Sequence, residues 1–175
     1  MVRVQHILSR LAGFGRNTSG ATAVEFAILL PVMLVTFGAI VEASRIYWNY
    51  QAAVSGVRDA TRYLARTTNN DVCGAGASTN TVIAGGANLA TTIITRNMDV
   101  DGAGLFPAAV TLSAATPVSA TFDCVAVTGA GIVPVAVVDA TVEIQLPFAG
   151  LFAFFGTPNG QMTSTITDQS RVFGL

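Results

Sequence analysis

Few side chains in this 175-residue protein can do chemistry, and their spacing limits what that chemistry is. The single histidine is His6, so a histidine-based triad or a multi-histidine zinc site has no place in the body of the chain. Asp139 and Glu143 come nearest to a paired acid and base, but two carboxylates on the wet face of one strand are an ordinary arrangement. Asp99-Val100-Asp101-Gly102 opens like a calcium loop, yet the twelfth position is Val110, where such a loop needs Glu. Cys73 and Cys124 are the only cysteines, with no Cys-x-x-Cys to suggest a redox enzyme. The expectation is a protein with no enzymatic activity, no cofactor and no metal.

Glu25 is the residue that most needs explaining. It is followed by Phe26 to Val41 without a charge and preceded by Ala21-Thr22-Ala23-Val24. A carboxylate in a bilayer costs ~2.5–3.5 kcal/mol at a helix centre and less near the edge. One reading puts Glu25 at the headgroup boundary, solvated. The other gives it a cation: a cut after Gly20 creates an amine on Ala21, and the amine of a neighbouring subunit would pair with Glu25 and set the register between helices.

The elements around these residues follow from composition. Apolar residues make up 51% and charged residues 11%, with a mean hydropathy of +0.58, which excludes a disordered chain. Nine arginines, no lysine and ten acids leave a net charge of −1, too few cations on any face for nucleic acid. Residues 1–19 carry Arg3, His6, Arg10 and Arg16 and no acid. Residues 21–41 are long enough to cross a hydrocarbon core, since a helix rises ~1.5 Å per residue and needs about 20 residues. A cleaved secretory signal is the rival. The helical pattern continues past the apolar run into Ile46-Tyr47-Trp48, however, and aromatics there suit a membrane–water interface. A retained anchor is the better reading. Pro31 should bend it.

Ile46, Tyr50, Ala53, Val57, Ala60 and Leu64 then recur at spacings of four and three, an apolar stripe at helical period. Arg45, Asn49, Ser55, Asp59, Arg62 and Arg66 lie off it. The stripe packs on the protein's own head, on neighbouring subunits, or on both by different faces. One helix is predicted from about Gly20 to Arg66. Turn chemistry follows through Thr67-Thr68-Asn69-Asn70 and Gly74-Ala75-Gly76. A second helix is expected over Val82–Met98, with Ile83, Ala87, Ala90 and Ile94 on one side. Strands are expected at Val110–Leu112, Thr121–Val127, Val138–Phe148 and Met162–Val172. In the third, Val138, Ala140, Val142, Ile144, Leu146 and Phe148 alternate with Asp139, Thr141, Glu143 and Gln145. The fold class is therefore α+β: a long N-terminal membrane helix, then a small head with a second helix and an antiparallel sheet of about four strands.

The N-terminal residues resemble a known class. A basic leader ending in Gly20, then Ala21-Thr22-Ala23-Val24, Glu25-Phe26 and a long apolar run, is similar to the type IV prepilin processing site. The stretch from Gly20 to Arg66, with Glu25-Phe26, Leu29-Leu30-Pro31, Glu42 and Arg45, resembles more narrowly the TadE-like family, minor pilins or pseudopilins of tight-adherence (Flp, type IVb) pilus systems. The resemblance implies a membrane prepilin peptidase cutting between Gly20 and Ala21, Phe26 in the recognition motif, and Glu25 in processing or assembly. Its implied partners are that peptidase, other pilin and pseudopilin subunits, the inner-membrane assembly platform and lipid. The head favours a minor component over a short major pilin, and the resemblance leaves open whether it enters the filament or stays at its base.

On this reading residues 1–20 are a leader, 21–66 the long helix with its membrane part at about 21–41, and 67–175 a periplasmic head. Arginines flank the apolar run about equally on both sides. The acid-free leader, the cysteine pair and the resemblance decide for a cytoplasmic N-terminus at the inner membrane. In an exported head Cys73 and Cys124 suggest one disulfide, worth ~2–4 kcal/mol by loop entropy; in a cytoplasmic head they would be two buried thiols. Leu146 to Phe155 is too short to span a membrane and is either core or an exposed patch, with Phe152, Phe154 and Phe155 as candidate subunit contacts. The competing function is a single-pass, signal-anchored envelope protein with a ligand-binding head and no filament role.

Overall fold

The structure is a computed structural model and describes residues 19–74, 81–98, 109–115, 118–129, 131–146 and 161–173. Its contacts divide the chain into two units, residues 1–41 and 42–175. Helix α1 runs over Ser19–Thr67, matching the predicted helix and continuing through Pro31. A Pro inside a helix removes one backbone donor, and the flanking turns hold the helical path here. In the first unit α1 is exposed on every side from Gly20 to Phe37, including Val24, Phe26, Ile28 and Met33. An apolar helix with no packed face is what a lipid-facing segment requires.

In the second unit the apolar stripe is a core face. Ala53, Val57, Ala60 and Leu64 of α1 are buried, with Ile46 and Tyr50 partly buried at one end. The packing expected against the protein's own head is therefore present. The 3-10 turn Asn70–Cys73 follows, then strand β1 (Thr81–Val82) and helix α2 (Gly86–Met98). Four longer elements complete the sheet: β2 (Val110–Leu112), β3 (Val118–Val127), β4 (Gly131–Gln145) and β5 (Gln161–Arg171).

All strand pairs are antiparallel. β4 is the central strand: it pairs with β3 and β2 along one edge and with β5 along the other, while β1 pairs with β3. The even-numbered residues of β4, from Ala136 to Ile144, face the helices and join Ala120, Phe122, Val110 and Ile166 in one buried cluster with α1 and α2. The odd-numbered residues, Asp139, Thr141, Glu143 and Gln145, point the other way, as the alternation of the sequence predicts. Pro134 is tolerated in a central strand because it lies opposite the end of β5. There its carbonyl still accepts from the Val172 amide at 2.9 Å, and only one ladder donor is lost. The β3–β4 hairpin turns through Gly129 and Gly131, both at positive φ, which glycine adopts without strain.

The helices meet at Gly56. A Cβ there would lie 2.9 Å from Ile94 Cα and 3.1 Å from Asn97 Cβ, so the crossing needs a residue with no side chain. Thr61, fully buried on another side of α1, donates its hydroxyl to the Val57 carbonyl at 2.8 Å, so its polar group is satisfied within the helix.

The sequence places some boundaries wrongly. The second helix starts at Gly86, not Val82: Thr81 and Val82 form β1, the Ile83 amide donates to the Ala120 carbonyl, and Gly85 takes a positive φ before the helix begins. Two residues of strand are too few for periodicity to reveal, so this fifth strand is invisible in the sequence. β3 starts at Val118 rather than Thr121, and β4 begins at Gly131 and ends at Gln145. Phe148, along with Phe152, Phe154, Phe155 and the Asp99–Gly102 motif, lies outside the described residues.

Candidate processing site and membrane helix

Gly20 and Ala21 lie in α1 near the first described residue, Ser19. Both are exposed, and a Cβ at Gly20 would meet nothing within 4 Å. Glycine also weakens helix locally by roughly 1 kcal/mol against alanine. The bond between them is thus accessible. Glu25 lies one turn beyond Ala21 on the same side of α1, the four-residue spacing at which side chains become neighbours. Glu25 and Phe26 are both exposed.

The helix from Gly20 is long and apolar enough to cross a membrane, and it is the one such helix among the described residues. Between Phe26 and Val41 the one polar side chain is Thr36. Its hydroxyl donates to the carbonyls of Val32, at 3.1 Å, and Met33, at 2.9 Å. A hydroxyl satisfied by its own helix carries little penalty in lipid, where water is absent. Beyond the apolar run, Tyr47 and Trp48 are exposed, Trp48 at 73%, as aromatics at a membrane–water boundary are.

Residues 20–62 match the family model described as TadE-like protein. The match covers about a quarter of the chain: it begins at the glycine singled out above and ends within the stripe that packs on the head. Nothing matches among the curated proteins or the solved structures.

Within the head, Cys73 in the 3-10 turn and Cys124 on β3 form a disulfide, with Cα atoms 5.7 Å apart and a sequence separation of 51. It ties the segment leaving α1 to the sheet. Asp139 and Glu143 share the odd face of β4 as expected, but Asp139 accepts from Ser119 and Thr167 on the flanking strands, the position of a structural carboxylate. No cluster of three or more His, Cys, Asp or Glu with metal-binding geometry occurs among the described residues. An open apolar groove of about 520 Å³ lies between Ile46, Tyr47 and Tyr50 of α1 and Ile144 and Met162 of the sheet.

Two features escape a reading by hydrophobic period. Glu42 is 2% exposed although it closes the apolar run, so the head's core begins with a buried carboxylate. Arg58, Arg62 and Arg66 form a single exposed ridge on α1. Their four-residue spacing was the available signal, since it repeats one helix face.

Proposed function

We propose that this chain is a minor pilin or pseudopilin of a tight-adherence pilus system. A prepilin peptidase cuts the leader after Gly20, α1 serves as membrane anchor and assembly surface, and the head lies in the periplasm. The observation that carries the reading is the TadE-like match, which starts at Gly20 and runs through Glu25-Phe26 and the apolar run. The exposure of Gly20 and Ala21 and the low helix propensity of glycine support it on physical grounds, because a peptidase must reach its scissile bond.

The division of labour follows from the chain's own groups. Cleavage removes the cationic leader and leaves an ammonium group on Ala21. Glu25, held at a bilayer's edge or within it, gains a compensating charge from that amine in its own chain or a neighbour's. In a low dielectric such a pair is strong enough to fix the axial register of adjacent helices. Residues Phe26 to Val41 then pack laterally, and the head selects its partners among other pilin subunits and the assembly platform. The protein is a substrate and a building block and performs no reaction.

The test is the N-terminal sequence of the protein recovered from membranes of its own host. A chain beginning Ala-Thr-Ala-Val-Glu is expected. A chain retaining Met1 or Val2 overturns the reading and favours a signal-anchored envelope protein.

A further inference from the structure

Charge is divided between the two sides of the head's sheet. On the helix side Arg58, Arg62 and Arg66 line the face of α1 turned away from the core, and Arg96 is exposed on α2. The acids among the described residues there are Glu42 and Asp59 on α1, Asp71 in the 3-10 turn after it and Asp168 on the even face of β5, and Arg45 of α1 is half-buried. Among the described residues the odd face of the sheet carries Asp123, Asp139 and Glu143, with Arg171 as its one cation. The buried helix-side cluster draws on even-numbered residues of β4; on the odd face Val133 and Val137 are buried as well, while Asp139, Thr141 and Glu143 are half-buried. The ridge Arg58, Arg62 and Arg66 is therefore a local run of cations, and Asp139 and Glu143 are a local pair of acids on the opposite side of the sheet.

We infer that the arginine ridge of α1 docks on the odd sheet face of a second copy of this chain, head to tail. The two surfaces match in length. Arg58 to Arg66 spans about 12 Å along a helix at ~1.5 Å per residue, and Asp139 to Glu143 about 13 Å along a strand at ~3.3 Å. They also match in direction. Within the head α1 runs the same way as β5: Met162 and Ser164 lie beside Ile46 and Tyr50, and the Phe173 amide donates to the Ala65 carbonyl at 3.1 Å. β4 is antiparallel to β5. Copies that keep α1 parallel thus bring Arg58 to Glu143 and Arg66 to Asp139, with Arg62 over Thr141. This parallel direction rests on the proposed anchoring of all copies in one membrane; the complementarity of the two faces does not. A contact between unlike faces does not close on itself in a pair, so it propagates as a chain or ring of subunits.

The test uses the full chain in detergent, with self-association followed by analytical ultracentrifugation at low and high salt. Association that weakens as salt rises is expected, because contacts between exposed charges are screened. Arg58→Glu and Glu143→Arg should each weaken it about tenfold or more, since a reversed charge faces its like, and the double variant should recover it. Circular dichroism and an intact Cys73–Cys124 bond show that each variant is folded. A monomer at every salt concentration, unchanged association in the single variants, or no recovery in the double overturns the proposal. Recovery of Arg58→Glu by Asp139→Arg in place of Glu143→Arg overturns the parallel arrangement. N-terminal sequencing of the same sample reports on leader removal separately, so a failure of processing is not confused with a failure of docking.

Discussion

Thr167 on β5 donates its hydroxyl to Asp139 Oδ1 on β4 at 2.6 Å, and the two residues are direct partners in the strand register. Ser119, the partner of Asp139 on β3, donates to Oδ2 at 3.2 Å. One carboxylate thereby links three strands on the odd face of the sheet. Asp139→Ala removes both acceptors and leaves two hydroxyls on exposed residues, Ser119 and Thr167. The expected loss is about 1–2 kcal/mol, because hydrogen bonds to a charged group are worth more than neutral ones but water replaces part of the loss. Thr167→Val should cost less, since Ser119 still holds the carboxylate. Denaturant unfolding of the full chain in detergent measures both.

Gly56→Ala tests the crossing of α1 and α2. The added Cβ would fall 2.9 Å from Ile94 Cα, which is backbone and cannot swing aside. The gain in helix propensity is roughly 1 kcal/mol, and overpacking a tight contact costs about 1–3 kcal/mol. A net loss of stability is expected. A variant more stable than the wild type would show that the helices separate at no cost.

The Cys73–Cys124 bond closes a long loop through the head. Its removal by Cys73→Ser with Cys124→Ser should lower stability by about 2–4 kcal/mol. Adding reductant should destabilise the wild type and leave the double variant unchanged. Equal unfolding of the wild type with and without reductant would mean that the bond does not form.

Much of this architecture is legible in the chain, for physical reasons. The Ile46–Leu64 stripe and the Val138–Ile144 alternation are readable because each buries one face, and burial imposes the period of the element. The start of α2 is not readable, since Ile83 packs on the core in either conformation and the choice is made by its hydrogen bond to Ala120. The roles of Gly56 and Asp139 depend on partners 38 and 28 residues away, Ile94 and Thr167, which no local pattern encodes. At the proposed processing site the reverse holds. Gly20, Ala21, Glu25 and Phe26 are exposed among the described residues, and the reading of them rests on their spacing along the chain.

Glu25→Ala separates anchoring from assembly. Replacing a carboxylate by alanine in an otherwise apolar helix removes a cost of up to ~2.5–3.5 kcal/mol, so membrane association should hold or strengthen. If Glu25 serves only as a solvated boundary residue, nothing else should change. If it pairs with an Ala21 amine, its loss removes the charge that fixes helix register, and filament yield should fall sharply while the protein accumulates in the membrane. Glu25→Asp keeps the charge on a shorter arm and should recover part of the yield. Fractionation, N-terminal sequencing and quantification of sheared filaments, made on the same cultures, read anchoring, processing and assembly separately. Full filament yield from Glu25→Ala would remove the carboxylate from the assembly mechanism and leave the apolar run alone to set the register.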